Sequence, residues 1–223
     1  MFNNFVNSKS VNKFARKCLT QMSNLQKDQT QELIKETAKK LFFVQGRFNA
    51  TTQEIADEAG VNRTLINYYF RSRDNLLDII FEEAKDVDRK KTELIQKSNL
   101  PFREKIENFI ELSLNTSLRY PYLETYIVSR MNKGNCSTVN REVDESFTKN
   151  LFREIEIEME KGHIQKTEPV QFIFNMVSLL VFPSAARPLF MESLNIKSEE
   201  FDKLIAQRKE IIMNLLFNTP QNN

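Results

Sequence analysis

A short predicted helix, residues 63–69, carries side chains well suited to recognising a polar ligand. Ile66 and Phe70 are four positions apart and would point inward. The side chains that would then point outward are those of Arg63, Thr64, Asn67 and Tyr68, with Leu65 near the boundary. Such a face can hydrogen-bond the base edges and phosphates of DNA. The alternative is an ordinary solvated helix face.

The residues before this helix predict a helix-turn-helix. Thr51 and Glu54 have the spacing of a capping box, which begins a first helix. Gly60 supplies the positive φ of a tight turn, and Asn62 is suited to cap the second helix. The small side chain of Ala56 lets the two helices approach closely.

Arg73 follows Ser72, the predicted cap of the next helix. A cation in the first turn opposes the helix dipole by about 0.3–1 kcal/mol. The position is explained if the helix N-terminus and the guanidinium bind one phosphate together. The alternative is a local pair with Asp74 or a nearby carboxylate. We favour the phosphate contact.

Residues 30–82 resemble the DNA-binding domain of tetracycline-repressor (TetR) type regulators. The matching features are an amphipathic helix from Leu33 to Val44, Gly46, Thr51-Thr52, Ile55-Ala56, Ala59-Gly60-Val61, Tyr68-Tyr69-Phe70 and the segment Arg71 to Leu76. The rest of the chain is similar only in its number of helices and its final helix pair.

The resemblance implies a role for each matching residue. Thr52 and Gln53 would lie near phosphate, Arg63, Thr64 and Leu65 would face bases, and Asn67, Tyr68 and Arg73 would hold the DNA backbone. We count Thr51 and Arg71 among the DNA-binding residues as well. Asn67 stands where the family usually has an aromatic residue, and Leu65 stands where a small polar residue is common. The leucine favours apolar contact with a thymine methyl.

Composition argues against other classes of protein. A net charge of +2 on 223 residues is too small for a protein that coats DNA. His163 is the only histidine, and Cys18 and Cys136 lie far apart, so we expect no catalytic residues, no metal and no cofactor. The cysteines fit free thiols in the cytoplasm better than a disulfide. The apolar stretch 172–182 is shorter than the ~20 residues of a membrane-spanning helix.

The pattern of apolar residues, glycines and prolines predicts an all-α fold. We expect about nine helices, at roughly 29–45, 52–59, 63–69, 73–97, 102–119, 122–133, 138–161, 169–192 and 198–217. These suggest a basic extension (1–27), a helix-turn-helix domain (28–75) and a larger helical domain (76–223), for which the family resemblance implies effector binding and dimerisation. Pro183 and Pro188 predict a kink.

The C-terminal domain is rich in phenylalanine, most of which would form plain core. As a set, these residues could also line an apolar pocket with a few polar anchors, for which we single out Phe109, Phe172, Asn175, Met176 and Leu179. A wide apolar stripe on the last helix is explained equally well by core or by a subunit interface. With the family resemblance it favours a homodimer that pairs helices 169–192 and 198–217.

The N-terminal residues contain five basic side chains and no acidic one up to position 27. We expect residues 1–21 to lie outside the folded domain, with Met22 as a start. They could instead form a basic arm that reaches the DNA.

The sequence therefore predicts a cytoplasmic, sequence-specific DNA-binding regulator. We expect a repressor that binds a palindromic double-stranded operator as a homodimer and is released by a small, largely apolar effector. The alternative is a helical ligand- or partner-binding module with little DNA binding, which the departure at Asn67 leaves open.

Overall fold

The computed structural model describes residues 27–132 and 145–218, and every regular element within those ranges is helical. Residues 27–39 form helix α1, which continues into a π-helical turn at Lys40–Val44. The other helices are α2 (Thr52–Ala59), α3 (Arg63–Phe70), α4 (Arg73–Lys97), α5 (Phe102–Arg119), α6 (Leu123–Asn132), α7 (Glu145–Glu160), α8 (Pro169–Ala185), α9 (Arg187–Ser193), α10 (Ser198–Ala206) and α11 (Arg208–Leu216). The predicted all-α fold is confirmed. Cys18, Cys136 and the predicted basic extension up to residue 26 lie outside the described residues.

Two predicted helices are each interrupted once, so the described ranges contain eleven helices where we expected about nine. The predicted helix 169–192 breaks at Ala186, and α8 and α9 meet at a bend of 65°. Pro188 contributes to this kink because it lacks the N–H that would bond the Ser184 carbonyl. The break at Gln207 is slight, since its backbone stays right-handed helical (φ −82°, ψ −7°). No described helix alone is long and apolar enough to cross a membrane, although α8 and α9 together reach that length and composition.

Two compact units divide the described residues. The first contains residues 27–40 and Asn49–Ile80, that is α1, α2, α3 and the start of α4. Its buried apolar side chains recur at three- and four-residue steps, as amphipathic helices require. They are Ile34, Ala38, Ile55, Ala56, Ile66, Phe70, Leu76, Leu77 and Ile80.

The second unit contains Leu41–Phe48 and the described chain from Phe81 onward. Helix α8 is central in it, because α5, α6, α7, α9 and α11 all pack against α8. The core is formed mainly by side chains of α5, α7, α8, α10 and α11, among them Phe102, Ile110, Ile155, Phe172, Met176, Leu180, Phe201, Ile212 and Phe217.

The segment Leu41–Phe48 packs on the start of α6. The Tyr122 N–H donates to the Phe43 carbonyl at 2.9 Å. Gly46 has a φ of +68°, and the Tyr122 ring lies so close that a Cβ on Gly46 would meet its Cδ1 at 2.9 Å. Phe48 stacks on Tyr126 with ring centroids 5.8 Å apart. The chain just before α2 is therefore held by aromatic side chains at the start of α6.

Candidate nucleic-acid interface

Helix α2 begins with the predicted capping box. The Glu54 N–H donates to Thr51 Oγ1 at 3.2 Å, and the Thr51 N–H donates to Glu54 Oε2 at 2.8 Å. The Thr51 hydroxyl also donates to Glu54 Oε2 at 2.9 Å. The N–H and the hydroxyl proton of Thr51 are both used within the protein, so Thr51 could face a phosphate only through its methyl group.

The turn between α2 and α3 has the predicted geometry. Gly60 adopts a left-handed conformation (φ 65°, ψ 31°), and the Val61 N–H donates to the Ala56 carbonyl at 2.9 Å. Asn62 caps α3 by accepting the Thr64 N–H at 2.9 Å. A cap of this kind stabilises a helix by about 1 kcal/mol. These contacts fix where α3 starts and therefore which of its side chains face outward.

Helix α3 presents the polar face that the sequence predicts. Ile66 and Phe70 are fully buried. Arg63, Thr64, Asn67 and Tyr68 are exposed, and Leu65 is half-buried at the boundary. The Tyr68 side chain is 67% exposed, which is unusually high for an aromatic residue. Its ring packs edge-on against the Tyr69 ring, with the centroids 5.1 Å apart. The orientation is confirmed, while the individual DNA contacts stay predictions.

The α2 residues that we expect near phosphate, Thr52 and Gln53, are partly buried or already hydrogen-bonded within the protein. Thr52 is half-buried, and Gln53 is exposed with its amide donating to Asp57 Oδ1 at 2.7 Å. One amide hydrogen of Gln53 remains for a phosphate oxygen, because a carboxamide carries two. In the part of the chain that the structure describes, by contrast, no acceptor pairs with the guanidinium of Arg63.

Arg71 lies in a strained turn between α3 and α4. Its φ of 64° and ψ of −43° are rare for a residue with a side chain, and the Ser72 N–H donates across it to the Phe70 carbonyl at 2.7 Å. Ser72 then caps α4 by accepting the Asn75 N–H at 3.1 Å, as predicted. The Asn75 side chain donates to the Phe70 carbonyl at 2.9 Å, a contact that we did not predict from the sequence.

The Arg73 guanidinium donates to acceptors within the first unit. Its Nε donates to the Ala50 carbonyl at 2.7 Å, and its Nη1 pairs with Asp74 Oδ1 at 3.0 Å. The local pair that we weighed against a phosphate contact is therefore present. The side chain is 28% exposed. Arg73 anchors the residue before the α2 cap, and its phosphate contact stays a prediction.

The predicted effector-pocket residues do not all come together. Phe172 and Met176 are buried in the core of the second unit, and Phe109 and Leu179 are partly buried against it. Asn175 is exposed, so its prediction as a polar lining group needs correction. A helix turns by about 100° per residue, and the buried stripe of α8 follows positions 172, 176 and 180 and excludes 175.

Comparisons with known proteins agree with this geometry. Residues 34–80 match the model of the tetR family of bacterial regulatory proteins. The chain is similar to a TetR/AcrR family transcriptional regulator from Thermobifida fusca, with 18% identity, a TM-score of 0.58 and coverage of 84% of this chain and 97% of that chain. It is also similar to PfmR, a TetR family transcriptional regulator from Thermus thermophilus, with 16% identity, a TM-score of 0.55 and coverage of 81% of this chain and 94% of that chain.

None of the curated protein sequences matches the chain significantly. At these identities the solved structures show a shared fold, and the family model accounts for the helix-turn-helix and the start of α4. Both the family model and the solved structures agree with the geometry described above, namely the capped α2, the glycine turn and the exposed polar face of α3. This chain is a transcriptional regulator that carries the DNA-binding domain of the TetR family.

Proposed function

We propose that the protein is a cytoplasmic repressor that reads a palindromic operator with α3. The exposed polar face of α3, fixed by the caps at Thr51 and Asn62, is the observation that carries this proposal. Arg63, whose guanidinium has no acceptor among the described residues, is suited to the O6 and N7 atoms of guanine, and Leu65 presents an apolar edge to a thymine methyl. Asn67, Tyr68 and Arg73 would contact phosphates of the DNA backbone, and Arg71 is a further expected DNA-binding residue.

The experiment is a gel shift with the promoter region of the protein's own gene and its neighbours. Retarded bands that resist excess unrelated DNA support the proposal. Binding that unrelated DNA abolishes would instead favour the helical partner-binding module.

We propose that a second copy covers an apolar face on α8, α10 and α11. Regulators of this family bind DNA and act as dimers. Large apolar side chains on these helices are 42–65% exposed, and they are Phe174, Val177, Phe182, Leu204, Ile211 and Leu215. Their spacing places them on the outer side of α8 and along one side of α10–α11. A two-fold dimer would present its two α3 helices to successive major grooves, roughly 34–36 Å apart, or to grooves further apart.

Light scattering tests the dimer. A dimer mass at micromolar concentration is expected, and Leu215→Glu, at a side chain 65% exposed, should yield monomers. Leu94→Glu is the matched control, because Leu94 is 70% exposed on α4 and lies outside the proposed face. A monomeric wild type, or equal masses for the two variants, would refute the assignment.

We propose that the second unit binds a small, largely apolar effector that lowers operator affinity. Its support is the apolar core around Phe172 and Met176 and the single helix α4, which runs from the first unit into the second. An effector can act only if it binds the two states of the protein with different affinity. A thermal-shift screen of small apolar compounds, followed by operator binding with each hit, tests this. Hits that never change operator affinity would contradict it.

A further inference from the structure

The Asn62 side chain accepts two hydrogen bonds from the same residue. The backbone N–H of Thr64 donates to Asn62 Oδ1 at 2.9 Å, and Thr64 Oγ1 lies 2.7 Å from that oxygen. A backbone N–H can only donate, so the atom that it faces must be the carboxamide oxygen and not the nitrogen. The orientation of the Asn62 carboxamide is thus fixed by the α3 cap.

This contact determines the direction of the second hydrogen bond. A carboxamide oxygen cannot donate, so the Thr64 hydroxyl must give its single proton to Asn62. The distance of 2.7 Å is typical of an O–H···O bond. Thr64 is exposed on the outer face of α3. Its hydroxyl therefore offers only lone pairs to an incoming ligand, whereas a free threonine hydroxyl could either donate or accept.

We propose that Asn62 makes Thr64 a selective acceptor, so that Thr64 reads an exocyclic amino group of a base. In the major groove these donors are N4 of cytosine and N6 of adenine. Guanine O6 and thymine O4 are acceptors, and either would face the lone pairs of Thr64 unfavourably. This inference rests on the proposed function, in which α3 lies in the major groove, and it names the base class read at one position of each half-site.

Asn62 is a positioning residue in this account. It need not touch the base, because it acts by occupying the Thr64 proton. A cap requires only that the side chain accept the backbone N–H, so the bond to the hydroxyl is additional to capping. Loss of this bond should change the base preference at this position. Loss of helix stability alone would weaken binding without changing the base preference.

The test starts from an operator selected from random DNA with the full-length protein. Each adenine in one half-site is replaced by purine and each cytosine by 2-pyrimidinone, which removes only the exocyclic amino group. Fluorescence anisotropy then gives the affinity of the wild type, Thr64→Ser and Thr64→Val for every duplex. Serine keeps the acceptor, and valine keeps the shape of threonine without it.

At one position the wild type and Thr64→Ser should lose roughly 3- to 10-fold in affinity when the amino group is removed. Thr64→Val should bind the amino and the amino-free duplexes equally there. Asn62→Ala frees the Thr64 proton and should make guanine or thymine acceptable at that position. Circular dichroism confirms that each variant is folded.

The possible failures are distinguishable. If the wild type selects no operator, the proposed function and this inference both fail. If it binds an operator but no loss depends on Thr64, only the inference is overturned. It is also overturned if Thr64→Val keeps the wild-type preference for the amino group.

Discussion

Gly46→Ala tests the packing of the segment before α2 against the start of α6. Gly46 has a φ of +68°, and a left-handed conformation costs an L-residue about 1–2 kcal/mol. The new Cβ would also lie 2.9 Å from Tyr122 Cδ1. The ring cannot move away freely, because the Arg187 guanidinium lies 5.8 Å from its centroid and Phe48 meets it edge-on at 6.5 Å.

Overpacking of this kind costs about 1–3 kcal/mol, so the total for Gly46→Ala is roughly 2–5 kcal/mol. Gly162→Ala is the matched control in the same unit. Gly162 has a φ of +76° with nothing within 4 Å of the added Cβ, so the control should lose only about 1–2 kcal/mol. The difference between the two variants therefore isolates the contact with Tyr122.

The assay is urea unfolding followed by circular dichroism at one fixed protein concentration, since the proposed dimerisation would make stability depend on concentration. The double variant Gly46→Ala/Tyr122→Leu should lose less than the sum of the single losses, because the shorter side chain leaves room for the Cβ. Equal losses for Gly46→Ala and Gly162→Ala, or strict additivity with Tyr122→Leu, would refute the reasoning.

Two further predictions concern the turn between α3 and α4. In thermal unfolding, Arg71→Gly should be about 1 kcal/mol more stable than Arg71→Ala, because glycine adopts a positive φ without strain and alanine does not. This difference already allows for the larger backbone entropy that glycine loses on folding. Equal stability of the two variants would exclude strain at this turn. Arg73→Ala should lower the free energy of unfolding by about 1.5–3 kcal/mol, since it removes a charged hydrogen bond to the Ala50 carbonyl. If Arg73 reaches a phosphate, the variant should also show a smaller salt dependence of DNA binding. A stability loss without a change in salt slope would leave Arg73 a purely structural role.

The helix-turn-helix was predictable because its determinants are local. Thr51 and Glu54 are three residues apart, and Asn62 and Thr64 are two apart. Gly60 marks the turn by its residue type alone. Such contacts depend on backbone geometry over one helical turn, which a sequence specifies directly.

The missed contact of the Arg73 guanidinium joins residues far apart in the chain. Arg73 and the Ala50 carbonyl are separated by 23 positions, and no periodicity connects them. Asn175 was misplaced for a different reason. Helix α8 is apolar on several sides, with Phe174 exposed as well as Phe172 buried, so composition does not show which side faces the core.

The central claim, that α3 reads base edges, is tested most directly by the specificity profile of Arg63→Ala. Affinities of the wild type and the variant are measured for an operator and for all single-base changes in one half-site, at one salt concentration. Loss of the Arg63 contact should remove about 1–3 kcal/mol of discrimination at one position and leave the other positions unchanged. An equal loss of affinity for every sequence, or no loss at all, would contradict the account.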